Sequence, residues 1–193
     1  MSFLGMWCLI PMHADVIAQY SPELAPAVEA KAARPGSRAL IRRWQQTGST
    51  EEVMHEFLDE AGPSALDERI CLVYEAWERG CDRDLPYLTV SVRKGYPAAA
   101  LAYALGPQRS AELPGWFGDL VLSPEQVLRT LPAVERVFTW TAETRARAAL
   151  LLAEALDPEG DRQDIDELLD GVLPVWRAAA TAGRGLLGAN FVP

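Results

Sequence analysis

The chain has 193 residues, 49% of them apolar and 23% charged, with 27 acids against 18 bases for a net charge of −9. That length and apolar content suffice for one domain over residues 1–193, with a core that needs neither disulfides nor a structural metal. The negative field excludes phosphate backbones and anionic lipid heads as default partners, so no nucleic acid and no membrane surface is expected, and a basic protein is the better complement.

In chain order, Phe3 to Ile10 is a short run of bulky apolar residues, predicted as a buried strand stopped by Pro11. Met12 to Tyr20 follows as a helix with Val16, Ile17 and Tyr20 on one side. Pro22 or Pro26 restarts a second helix reaching Ala33, and Arg34-Pro35-Gly36-Ser37 reads as its end. Leu40, Ile41 and Trp44 carry the next helix. Ser49 or Thr50 caps another, where Val53, Met54, Phe57 and Leu58 repeat at helical spacing up to Gly62-Pro63. Ser64-x-x-Asp67 then resembles a capping box, opening a stripe of Leu66, Ile70, Val73, Tyr74 and Trp77 with Gly80 as its terminating residue.

Tyr87 to Val92 alternates, with Leu88, Val90 and Val92 on one face, and predicts a strand. Pro97 opens an Ala-rich helix closed by Gly106-Pro107. Residues 107–118 read as a loop, and its Trp116 and Phe117 fold it back onto the body. Asp119 to Leu122 is a short strand. Ser123-Pro124-Glu125-Gln126 is the sharpest local signal, placing an N-cap, a proline at the first helical position, an acid and the Gln of a capping box. Pro132 is expected to end or redirect that helix.

Residues 142–156 form another helix, with Arg145 and Arg147 outward and Ala146, Ala149, Leu150 and Ala153 inward. Ile165, Leu168, Leu169, Val172, Leu173, Trp176, Ala179 and Ala180 build the last one, with a kink or break expected at Gly171 and Pro174. Gly183 ends it, and Leu186 to Val192 returns as a strand. Short strands without regular βα alternation predict a mainly helical α+β fold with a small sheet.

No motif assigns chemistry. Gly183-x-Gly185-x-x-Gly188 spells a dinucleotide fingerprint, but a helix precedes it, where the chemistry needs a strand before and a helix after. It reads as a helix cap. The acidic run Asp157, Glu159, Asp161, Asp164, Asp166, Glu167 and Asp170 fails as a calcium loop, because Arg162 and Leu168 stand where a Gly and an acid are required. It reads as a solvated connection and a helix start. His13 and His55 belong to no metal-binding spacing, so no metal and no cofactor is expected. A Cys–His nucleophile using Cys8 or Cys81 stays open, although Asp82 beside Cys81 opposes a thiolate. Cys8 and Cys71 sit in apolar patterns, as packed free thiols do. Arg42-Arg43-Trp44 is the one basic-aromatic knot, read as a snorkelling helix face.

The opening MSFLGMWCLIP lacks the positive region and cleavage site of a signal peptide, and no stretch reaches the roughly 18 apolar residues of a membrane span, so a cytoplasmic location is expected. Among the six tryptophans, Trp77 and Trp176 lie on core stripes, whereas Trp116 and Trp140 fall in connections and are candidate binding residues. Trp7 and Tyr74 join them as candidates for lining an aromatic pocket.

The segments LGMWCLIP, RICLVYEAWERG, LTVSVRKG, LVLSPEQVLRTL and ELLDGVLPVWRAAATAGRGLLGANF together resemble the YfbM-like family, a bacterial family of unknown function. Residues 21 to 62 are longer and more helical than that family's pattern. The resemblance implies a compact mixed α/β domain with a small sheet and carries over no catalytic residues. Negative charge without catalytic constellations, together with aromatics placed in loops, leads to an expected function of non-enzymatic binding of a basic protein partner, of an immunity or toxin-neutralising type, by a monomer or small homo-oligomer. The alternatives are a small-molecule binder or hydrolase with a pocket near Trp7, Tyr74, Trp116 and Trp140, and a structural oligomer subunit.

Overall fold

A computed structural model of the chain describes residues 4–156 and 162–191. Strand β1, Leu4–Met12, runs on through Pro11, and is followed by α1 at Ala14–Ala33, α2 at Pro35–Thr47 and α3 at Glu51–Ala61. A single 3-10 turn at Asp67–Arg69 leads into α4 at Ile70–Gly80, then β2 at Leu88–Arg93 and α5 at Pro97–Ser110. The remainder is β3 at Leu120–Leu122, α6 at Pro124–Val137, α7 at Ala142–Ala155, α8 at Arg162–Thr181 and β4 at Gly185–Phe191. The fold is mainly helical α+β, as the lack of βα alternation predicts. Among the described residues no helix is long and apolar enough to cross a membrane.

The four strands form one antiparallel sheet in the order β2-β1-β4-β3, so the chain's first and last strands lie side by side at its centre. Alternation splits their side chains between two cores. Trp7 and Leu9, Leu88 to Val92 in alternate steps, Leu120, Leu122 and Leu186 face one way, toward α5, α6, α7 and α8. Cys8, Ile10, Met12, Val121, Leu187, Ala189 and Phe191 face the other way, toward α1 and α4. Helices α2 and α3 pack on α5 at one end of the larger core, where Trp44 lies 4.5 Å from Phe57 and stacks at 6.1 Å on Tyr103.

Several expected boundaries shift, and the physical reason recurs. α1 is one helix through Pro22 and Pro26, α6 continues through Pro132, and α8 through Pro174. Each proline is exposed, as is the residue four positions earlier whose carbonyl loses its partner (Ala18, Pro22, Leu128 and Asp170). Water takes those acceptors, while the buried stripe opposite keeps the helix whole. Arg34-Pro35 is not a loop but the start of α2, with Pro35 at its first position. Ser64 does not cap a helix start at Asp67, since its hydroxyl accepts from Leu66 N and donates to Asp119. In α7 the inward residues are Ala148, Leu152 and Ala155, and Leu150 is 73% exposed. Cys71 is exposed as well, and the first members of the acidic run, Asp157, Glu159 and Asp161, lie outside the described residues.

Two signals act as read. Ser123 and Gln126 form a reciprocal capping box at the start of α6. At the end of α8, Arg184 N donates to Ala179 O and Gly183 N to Ala180 O, which is the paired closure of a Schellman cap. The third glycine of that segment, Gly188, lies in β4, where a Cβ would meet the Gly118 carbonyl oxygen at 2.3 Å.

Candidate functional site

That close approach marks a densely hydrogen-bonded polar knot. Trp116 and Asp119 exchange backbone hydrogen bonds of 2.8 and 3.0 Å across a two-residue turn, Phe117-Gly118, whose φ values are 39° and 102°. Positive φ at both turn positions matches the twist of a tight hairpin, and Gly118 adopts it without strain. Three side chains from elsewhere hold the turn. Trp7 Nε1 donates to Gly118 O at 3.1 Å, Asn190 Nδ2 donates to Phe117 O at 3.2 Å, and Ser64 Oγ donates to the Asp119 carboxylate at 3.0 Å. The carboxylate also accepts from Ala65 N at 2.6 Å, Asn190 N at 2.9 Å and Asn190 Nδ2 at 3.1 Å. Asp119 is fully buried, and burial pushes its pKa up to about 6 against the pull of those donors. The indole N–H of Trp116 and Oδ1 of Asn190 have no hydrogen-bond partner among the described residues. The cavity beside Trp7 and the turn has about 60 Å³, room for water and not for an organic ligand.

On its other side the hairpin borders a cleft of about 170 Å³ lined by Ile41, Trp44, Trp116 and Phe117, and a second region is more open. At Gly106 (φ 82°, ψ 164°) the backbone leaves the helical conformation, and Pro107 starts a separate final turn of α5. Residues 104–109 around this break and the start of α7 border a groove of about 480 Å³, which Gln45, Gly48 and Ser49 also line. A β-carbon added at Gly106 would touch nothing within 4 Å, so the glycine serves the bend and not a packing contact. The far wall is Trp140, Thr144, Arg147, Ala148 and Leu151. Trp140 is fixed in place. Its Nε1 donates to Leu169 O at 3.3 Å, and the Arg109 guanidinium lies 4.7 Å over its ring while donating to Thr139 O at 2.9 Å.

The groove's hydroxyls are already engaged. Ser49 Oγ accepts from Trp44 Nε1 and lies 3.4 Å from the Tyr103 carbonyl, and Thr144 is paired with Thr141 in a capping box. Among the described residues, no carboxylate, imidazole or thiol lines the groove. Cys8 and Cys81, elsewhere in the fold, are poor nucleophiles, because burial pushes the pKa of both up. Met12 pairs with Cys81 through the backbone and His13 N donates to Gly80 O, with no hydrogen bond between the His13 and Cys81 side chains. Among the described residues no group of three His, Cys, Asp or Glu side chains is placed to hold a metal ion.

The structure therefore separates the four aromatic candidates. Trp7 and Trp116 meet at the hairpin, both buried, on the two sides of the sheet. Trp140 stands apart from them in the groove. Tyr74, 42% exposed, stacks on Trp77 and Phe191 over the opposite face of the sheet. Nothing in the sequence pattern marks Arg109, Arg147, Gln108 or Asp119 as site residues. The one available signal is Gly106-Pro107, which marks a break but not what the break uncovers. Arg42-Arg43-Trp44 has no part in either region as a basic patch, since Trp44 is buried and Arg43 pairs with Glu52 and Glu56 of α3. A scan against protein-family models, a search of curated proteins and a search of solved structures each find no match to this chain.

Proposed function

We propose that the protein is a non-enzymatic binding domain that takes up a small molecule in the groove between the bend of α5 and α7. The observation that carries this reading is the preset Trp140 wall of a 480 Å³ groove, fixed from behind by Leu169 O and from the side by Arg109. Ligand sites commonly have this size, an apolar or aromatic wall and a few fixed polar groups. A lining without carboxylate, imidazole or thiol supports binding over catalysis, because a general base or nucleophile would have to come from hydroxyls already engaged. The test is an NMR screen of chemically diverse small molecules, following the indole N–H signal that Trp140→Phe removes. Saturable shifts of that signal are expected, and a screen that moves other signals only would sink the reading.

A second reading rests on a different surface. Glu56, Asp59 and Glu60 line a broad depression between α2 and α3; Glu56 pairs with Arg43 and Glu60 with Lys31, so among the described residues Asp59 is the acid of the three left to meet a basic protein such as a toxin. Its check is capture of a basic protein at low salt by wild type but not by the Glu56→Gln/Asp59→Asn variant. Equal capture by both removes it. Membership of the YfbM-like family is a further proposal. It rests on the sequence segments LGMWCLIP, RICLVYEAWERG, LTVSVRKG and LVLSPEQVLRTL and the ending from Glu167 on, and would be overturned by a YfbM-like structure with a different strand order.

A further inference from the structure

Resting on the groove as the binding site, we infer that its ligand is an anion, a carboxylate or phosphate, and that Arg147 meets its charge. The chain carries −9 overall, yet this groove is lined by two arginines and no described acid. Many arginines elsewhere are held by carboxylates, namely Arg43, Arg79, Arg136, Arg145, Arg177 and Arg184. Arg147 is exposed and makes no ion pair among the described residues, although Glu143 stands one turn before it on α7. Glu143 does not line the groove.

The two arginines divide the work. Arg109 is committed to Thr139 O and the Trp140 ring, so it stiffens the wall and adds positive potential. Arg147 keeps its whole guanidinium fork, a donor-only group that pairs with carboxylate and phosphate through two parallel bonds. Gln45 and Gln108, both exposed on the rim without a hydrogen-bond partner among the described residues, add amide donors. A groove whose free polar groups are mainly donors selects an acceptor-rich ligand, and its local charge draws that ligand in against the repulsion of the acidic surface.

The test uses the full chain and two matched probe pairs, phenyl phosphate with phenol and phenylacetate with phenylacetamide, titrated into the millimolar range. The Trp140 indole N–H signal reports occupancy. At least one acid is expected to bind about tenfold or more tightly than its neutral partner. Arg147→Gln should erase that preference with an unchanged melting temperature, and Arg147→Lys should restore part of it. Preference for phenyl phosphate alone assigns phosphate, and preference for phenylacetate alone assigns carboxylate. Equal binding of acid and neutral partner, or a preference that survives Arg147→Gln, overturns the anion inference and leaves the groove as a binding site. If no probe moves the Trp140 signal, both fall together.

Discussion

The hairpin at Trp116–Asp119 and the groove at Trp140 use the same materials to opposite ends. Each combines a tryptophan, a positive-φ glycine and a few polar groups. In the hairpin nearly every polar atom is engaged. Asp119 accepts from Ser64, Ala65 and Asn190, and the turn carbonyls accept from Trp7 and Asn190. In the groove the aromatic is fixed, but Arg147, Gln45 and Gln108 have no hydrogen-bond partner among the described residues. Buried polar groups are costly unless paired, so the hairpin's network is there to specify the fold. Exposed unpaired donors around a fixed ring cost little in the free protein and are available to a ligand. The contrast teaches that a buried, strongly shifted carboxylate need not mark an active site, since Asp119 has no free face to offer a substrate.

The largest expected effect tests the hairpin side. Asp119→Ala takes the acceptor from the Ser64 hydroxyl, from the backbone N–H groups of Ala65 and Asn190 and from one of the Asn190 Nδ2 bonds, and should cost about 3–5 kcal/mol in urea unfolding. Because folding raises the pKa of Asp119 from 3.8 to about 6, the proton-linked part of its contribution is complete below pH 4 and is lost as pH rises through about 6. The stability gap between wild type and Asp119→Ala should therefore narrow from pH 4 to pH 7. A gap that widens would mean that the donors, and not burial, dominate at this carboxylate. Trp7→Phe is a smaller break. It removes the donor to Gly118 O while keeping most of the ring, and should cost about 1–2 kcal/mol by thermal unfolding. At the other end, Arg147→Gln should change stability by less than about 0.5 kcal/mol, because the side chain touches nothing that folding needs. A loss comparable to that of Trp7→Phe would show Arg147 to be part of the scaffold and erase the contrast between the two regions.

Periodicity in the sequence is enough to locate nearly all the elements of the fold. The capping box at Ser123, the alternation of Leu88, Val90 and Val92, and the stripe from Ile165 to Ala180 each act locally, so a local reading finds them. That reading fails where tertiary context outweighs a local rule. Pro22, Pro26, Pro132 and Pro174 look like breakers, but on exposed faces their lost hydrogen bonds fall to water. Leu150 looks like core until α8 and α5 fix which face of α7 is covered. Of the candidate site, Trp140 is legible as an aromatic in a connection. Arg147 is legible only as an outward residue.

The sequence by itself determined the class of the fold, the approximate place of its elements and a net charge of −9. Tertiary structure alone decided that the first and last strands form the centre of the sheet, since strand pairing depends on contacts 180 or so residues apart that no local pattern encodes. It also decided that Trp116 is buried beside a cleft of about 170 Å³ while Trp140 lines a groove of about 480 Å³. Both are tryptophans in connections, and what separates them is which helices pack over each, a property of the assembled chain and of no segment within it.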